Sequence, residues 1–293
     1  MSNSLVIKRR LRSVGNIKQI TKAMELVSAA KMHKASQAVV GARPYATRIS
    51  ALIDRLQQQN LEFHHPLLDI RPIKNELLII ITSDGGLAGG INAQVIKKAL
   101  TQIKEAGHDT DLVVIGKKGN SLLAKYKFPI AATFIDVPAN VPFEFCRPIS
   151  LFATTNFLAK KYDLVNVVYS HFQSTLVQVP TVTQLLPLFV HPESARETAN
   201  KDQQIADAEA MFEPSVSELL KGLLPKLVDQ LFFEMMLESA ASEHSARMIA
   251  MRSATDNAED LSNDLQLTFN SERQTAITAE MAEISSSITA LEQ

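Results

Sequence analysis

Apolar residues open the chain at Ile7, Leu11, Val14, Ile17, Ile20, Met24 and Val27, in steps of three and four. A strand does not produce that spacing, so it predicts a helix from about Ser4 to Asn60. Small residues then dominate (Ala23, Ser28, Ala29, Ala30, Ala35, Ser36, Ala38), and small side chains let another helix approach closely. Gly41 and Pro44 are the points where this helix is expected to kink or divide, and His64-His65-Pro66 ends it. The middle of the chain has a different period. Glu76 to Thr82 is a short β-rich apolar run of the kind buried on both faces. Helical spacing follows from Ile91 to Ile103, stopped by Gly107. Leu112 to Ile115 and Leu164 to Ser170 read as strands, Ala131 to Val137 as a weaker one, and Pro148 to Lys161 as a helix. Thr175 to Leu188 reads as a strand too, but Pro180 and Pro187 confine it to a sheet edge. Alternating β and α segments predict an α/β fold with a Rossmann-like, mostly parallel sheet.

The last 68 residues, Lys226 to Gln293, hold none of the ten glycines or twelve prolines. As one helix they would run about 100 Å, at about 1.5 Å per residue. A globule of this chain length is roughly 50 Å across, so such a helix is expected to stand clear of it and to need a partner. The long element is expected to begin near Pro214, with Pro225 in the first turn of the uninterrupted part. Met251, Ala254, Ala258, Leu261 and Leu265 form one apolar ladder, and Ile277, Met281, Ile284, Ile288 and Leu291 another. Between them Leu265, Phe269, Arg273 and Ile277 step by four, a stutter that locally unwinds a supercoil. The expected organisation is an N-terminal shaft helix and connection (1–75), a central α/β domain (76–190), a polar linker (191–213) and a C-terminal shaft helix (214–293).

Charge gives the helices a reason to meet. Residues 1–34 carry eight basic residues against Glu25 alone, a net of +7, while residues 240–293 carry nine acids against three arginines, a net of −6. Opposed helices of this kind choose partner and orientation by charge. The whole chain is nearly neutral, at −1, and implies no particular partner by its overall field. The longest apolar run, Leu77 to Ile81, is too short to span a bilayer, and no signal-peptide pattern is present at the start. Cys146 is the only cysteine, which fits a reducing compartment.

Candidate chemistry is sparse. Ser83-Asp84-Gly85-Gly86-Leu87-Ala88-Gly89-Gly90 lies between a strand and a helix, where phosphate loops sit. Ile91 and Asn92, however, stand where a Walker motif needs Lys and Ser or Thr, and G-x-G-x-x-G fails as well. The loop therefore reads as a tight structural turn. No metal-binding, nucleophile-elbow or Cys/His pattern occurs, so no catalytic residue, cofactor or metal is assigned. His64-His65 reads as a loop beside proline, and Glu280 with Glu283 as a solvated face. Phe232, Phe233, Met235, Met236 and Leu237 read as core. Two alternatives remain beside a non-catalytic helical shaft: a stand-alone nucleotide-dependent α/β enzyme, and a nucleic-acid-binding adaptor using the basic helix.

Ser13 to Met32 (SVGNIKQITKAMELVSAAKM) resembles the opening of the gamma subunits of F-type ATP synthases. So do the SDGGLAGG segment with Ile91-Asn92, Ser242 to Met248 (SEHSARM), Ala254 to Ala258 (ATDNA) and Asn270 to Glu283 (NSERQTAITAEMAE). The resemblance covers essentially the whole chain in order. It implies a rotor shaft in which the N- and C-terminal helices form an antiparallel coiled coil inside a ring of alpha and beta subunits. The α/β domain would lie beside the epsilon subunit and the membrane c-ring, peripheral to the cytoplasmic face of a bacterial plasma membrane. It further implies that active sites belong to the beta subunits. Beta-subunit loops would meet Met24, Arg273, Gln274, Thr278 and Glu280, and the shaft core would comprise Leu11, Val14, Leu261, Leu265, Ile277, Met281, Ile284 and Ile288. The chain departs from the family at Gly85 and Ala88, where Arg and Cys are usual, and at Ser285-Ser286-Ser287, which replaces a Gly-containing segment and should stiffen the helix end.

Overall fold

A computed structural model of the chain describes residues 3–58, 65–126, 128–188 and 216–291. Five strands form one sheet in the order β3-β2-β1-β4-β5. They are β1 (Asn75–Ile81), β2 (Asp109–Ile115), β3 (Ile130–Phe134), β4 (Leu164–Phe172) and β5 (Gln178–Leu186). The first four are mutually parallel where they pair, and β5 closes the edge antiparallel to β4, with Pro180 opposite Ser170. The helices are α1 (Asn3–Gln58), α2 (Ile91–Ala106), α3 (Lys117–Leu123), α4 (Phe143–Leu158) and α5 (Val216–Leu291). Two compact units result: Ala29–Ala246, and Met1–Ser28 with Arg247–Gln293.

In the larger unit the sheet is buried on both faces, which is why β1 is apolar at every inner position rather than at alternate ones. Alternation sends Leu77, Ile79 and Ile81 to one face, with Val113, Val165, Val167, α4 and the α5 residues Leu224 to Leu237. Leu78 and Ile80 face the other way, onto Val95, Ile96 and Ala99 of α2 and Leu123 of α3. Phe232, Met235, Met236 and Leu237 are buried in the first of these cores, and Phe233 packs against it. Polar ties supplement the apolar contact. Asp229 accepts a hydrogen bond from Ser150 at 2.6 Å, and Ser242 donates to the Ser170 carbonyl at 2.8 Å. Glu238, 4% exposed, lies 2.6 Å from His171 Nδ1.

Several sequence expectations change. Neither Gly41 nor Pro44 interrupts α1, and Pro225 lies inside α5 rather than in its first turn. The α4 helix starts at Phe143, ahead of Pro148. Helix α3 was not expected. The weak third strand is shorter than expected and ends at Phe134. The segment assigned as linker, 191–213, and His64 lie outside the described residues. His65 Nδ1 accepts the Leu67 N–H at 3.2 Å, as a turn residue does.

Two positions have unusual backbone or burial. Gly116 joins β2 to α3 at φ 94°, and a Cβ there would collide with the Thr82 carbonyl. Gly41, by contrast, has open space around it. Gly116→Ala should lower stability by about 2 kcal/mol or more, and Gly41→Ala should raise it by about 0.5–1 kcal/mol; urea unfolding of the two variants checks both signs.

Glu76 is fully buried at the start of β1 and accepts a hydrogen bond from Asn166 at 2.6 Å. Burial holds its carboxyl above the ordinary value of 4.5, against the smaller opposing effect of Asn166. At pH below that ordinary value the group is neutral folded and unfolded, and burial carries no charge penalty. As pH rises through the raised value, folding has to bury an anion, and stability falls. Glu76→Gln keeps an acceptor for Asn166 and removes the charge. Its melting temperature should exceed the parent's at pH 7 and converge with it near pH 4.

Candidate functional site

In the smaller unit, α1 and α5 run antiparallel and bury one narrow stripe each. On α1 that stripe is Ile7, Leu11, Val14, Lys18, Thr21, Glu25 and Ser28, a strict alternation of fours and threes. On α5 it is Met251, Thr255, Ala258, Ser262, Leu265, Phe269 and Glu272. The register is set where the Thr255 hydroxyl donates to the Thr21 hydroxyl at 2.8 Å. Thr21 in turn donates to the Ile17 carbonyl, one turn back, at 3.0 Å. Lys18 pairs with Glu259 at 3.0 Å, half-exposed on both sides and so worth well under about 1 kcal/mol. Lys22 turns instead to Glu25 of its own helix, at 2.9 Å.

This seam corrects the apolar ladder expected from the sequence. Ile17, Ile20, Met24 and Val27 each stand one residue before Lys18, Thr21, Glu25 and Ser28, about 100° round the helix. Ile17, Ile20 and Val27 are 50%, 59% and 54% exposed. The reason is close approach: hydroxyls and methyls at Thr21, Ser28, Thr255, Ala258 and Ser262 admit a nearer helix than isoleucines would. The large apolar residues are displaced to an outer stripe. The same shift puts Ser262 in the seam and leaves Leu261 half-exposed, so Leu261 is not a residue of the chain's own core. No stutter appears at Arg273, because the seam continues in sevens through Phe269 to Glu272.

Continuing the register outward places Leu11 level with Leu265, Ile7 with Phe269 and Asn3, where α1 begins, with Arg273. Among the described residues, α5 has no companion from α1 beyond that point. Ile277, Met281 and Ile284 are therefore exposed rather than buried as expected, and the Ile288 side chain lies outside the described residues. Of the expected contact residues, Met24 is half-buried on the flank of the pair; Arg273, Gln274, Thr278 and Glu280 are exposed on the unaccompanied end of α5. The Thr278 hydroxyl is engaged with the Gln274 carbonyl at 2.9 Å. Sequence reasoning missed Thr21 and Thr255; a hydroxyl on each facing helix, inside a small-residue run, was the available signal.

The glycine-rich loop is closed on itself. Asn92 accepts the Ser83 N–H at 3.0 Å and donates to the Ser83 hydroxyl at 2.8 Å. Asp84 accepts from the backbone of Lys117 and Val137, so the loop presents an anion where a phosphate would sit. Lys118 lies beside Gly86 but belongs to α3, not to a Walker position. Burial, with a smaller contribution from Glu144, pushes the Cys146 thiol up to about 12, which leaves it un-ionised and non-nucleophilic at neutral pH. The described residues contain no His/Cys/Asp/Glu group able to hold a metal and no helix long and apolar enough to cross a membrane.

The described residues thus combine a small-residue helix pair carrying exposed apolar residues with a Rossmann-like, mostly parallel sheet whose glycine loop is bonded to its own neighbours. The ATP synthase family model matches residues 3–291. The ATP synthase gamma chain of Pelotomaculum thermopropionicum is 38% identical over 98% of both chains, and that of Heliobacterium modesticaldum 41% identical over 95% of both. Among solved structures, the central stalk of the Tetrahymena thermophila mitochondrial ATP synthase shares 25% identity, with a TM-score of 0.59 over 80% of this chain and 99% of that one. A chain of the Euglena gracilis mitochondrial enzyme, at 17% identity and a TM-score of 0.65 over 98% and 94%, shares the fold. The chain belongs to the gamma-chain family of ATP synthases.

The Thr21–Thr255 bond generates a prediction. Thr21→Val or Thr255→Val removes the bond between the helices but leaves the surviving hydroxyl a carbonyl of its own helix, Met251 for Thr255 and Ile17 for Thr21, so each should lose only about 0.5–1.5 kcal/mol. Because the two residues share one bond, the double variant should cost less than the two single losses added together, and a double-mutant cycle by thermal unfolding measures the coupling.

Proposed function

We propose that this chain is the central rotor shaft of an ATP synthase, coupling ion flow through a membrane sector to ATP synthesis or hydrolysis in a ring of alpha and beta subunits. The observation that carries the reading is exposed apolar surface in two places, Ile17, Ile20 and Val27 on the outer face of α1 and Ile277, Met281 and Ile284 on the unaccompanied end of α5. Apolar side chains exposed in both places call for an external cover. A surrounding ring of subunits would supply it, and full-length identity to gamma chains favours that ring over any other cover. The sealed glycine loop favours the same reading over a stand-alone nucleotide enzyme, with active sites left to the beta subunits.

The chemistry of the stripe suits rotation. Dispersion and hydrophobic contact are non-directional, so a ring can turn about them without one angle being strongly held. Directional contact is then left to a few polar groups. Arg273, Gln274, Thr278 and Glu280, with Met24 on the flank, are the residues we assign to loops of the beta subunits. Only contacts that differ between angular states bias the ring's conformations. The larger α/β unit is assigned to an epsilon subunit and a c-ring, which would hold the chain peripherally at the cytoplasmic face of a bacterial plasma membrane.

The test is reconstitution with alpha and beta subunits, with the ring immobilised and a bead fixed to the α/β unit. ATP should drive rotation of the bead. Ile20→Asp with Val27→Asp, both at exposed positions, should leave the isolated chain folded while abolishing assembly, because a sleeve would have to bury two carboxylates. Stoichiometric assembly and rotation of that variant, or a ring that hydrolyses ATP without turning the chain, would refute the shaft reading.

A further inference from the structure

A cleft of about 480 Å³ opens in the larger unit between the first turn of α4 and the early part of α5, lined by Phe143, Arg147, Lys226, Asp229 and Gln230. Nothing in the shaft reading uses it. Its two cations come from different helices, and neither Arg147 nor Lys226 forms an ion pair with another residue in the described structure. The single acid is already engaged, since Asp229 accepts the Ser150 hydroxyl at 2.6 Å. Gln230 is only 9% exposed; its amide N–H donates to the Ala42 carbonyl at 3.3 Å, which leaves its amide oxygen available to a donor. Phe143 is fixed by edge-to-face packing on Phe233, with ring centroids 5.5 Å apart.

We propose that this cleft binds a phosphate group carried on a small organic body. Arg147 offers a planar fork matched to two phosphate oxygens, and Lys226 adds a point charge from the facing helix. With Asp229 counted, the lining is net +1, too weak a field to hold a bare inorganic ion firmly. The rest of the binding must come from the body of the ligand. The Phe143 ring supplies an apolar wall, and the Gln230 amide oxygen selects a body with an N–H or O–H. The volume falls within the range of small-molecule sites, about 300–1,000 Å³, and far exceeds what a single phosphate fills. A soluble phosphate ester and a phospholipid headgroup share this chemistry.

The test uses the full chain, titrated calorimetrically with ATP and with inorganic phosphate, and by co-sedimentation with phosphatidylglycerol vesicles. ATP should bind saturably and more tightly than inorganic phosphate. Arg147→Gln and Lys226→Gln should each weaken it about tenfold or more, as loss of a charge-assisted hydrogen bond does. Phe143→Ala should weaken ATP while leaving inorganic phosphate unchanged. Binding to the vesicles alone, lost in both charge variants, would identify a lipid headgroup as the source of the phosphate. The proposal fails if no probe binds, or if whatever binds is indifferent to both charge variants. Both cations are exposed, so unchanged melting temperatures will show that the variants remain folded.

Discussion

Two helices packed in register can bury only one stripe apiece, and in the smaller unit that place goes to the residues that permit the closest approach. Threonine, serine and alanine fill the centre of the seam, with larger side chains at its outer end. Dispersion falls off steeply with distance, so many close contacts between small groups rival fewer contacts between large ones. The choice has a second effect. Each large aliphatic residue excluded from the seam stays on the surface of the pair, so the geometry that holds the helices together also makes the outer face apolar.

The larger unit solves a different problem. A parallel sheet covered on both faces gains apolar burial that is indifferent to sliding, and α5 must resist sliding along it. Directional ties serve that purpose: Ser242 to the β4 backbone, Asp229 to Ser150, Glu238 to His171. Around Glu238 the electrostatics are tight. The Tyr169 phenol is pushed up to about 12, first by burial and then by that carboxylate. A hydrogen bond loses strength when its partners slip sideways, so such bonds set the axial position of a helix more firmly than apolar packing does.

The centre of the sheet was legible because β1, β2 and β4 hold apolar runs, with Gly107 and Gly116 on either side of β2, and α2 because Gly107 caps it in a left-handed conformation. Proline misled at three places. Pro44, Pro148 and Pro225 all lie within helices, where tertiary contact outweighs local preference. Helix α3 escaped notice because Lys117-Lys118-Gly119 has no apolar period and the helix spans only seven residues. The seam was misread for a deeper reason. Hydrophobic periodicity identifies which residues leave water, and in this pair the apolar stripe leaves water only against something outside the chain. The facing residues are selected by fit, and fit depends on the partner helix, which one-dimensional spacing does not encode.

Among the described residues the end of α5 beyond Arg273 is, mechanically, a cantilever: a single helix past the point where α1 begins. The lateral thermal excursion of such a rod grows steeply with its free length. In the isolated chain the position of this end is therefore an average over a cone of directions, whatever its local helicity. Lateral confinement by a sleeve would convert that cone into a line. The angular precision of the tip is thus a property of its surroundings, and the serines at 285–287 can influence it only through bending stiffness.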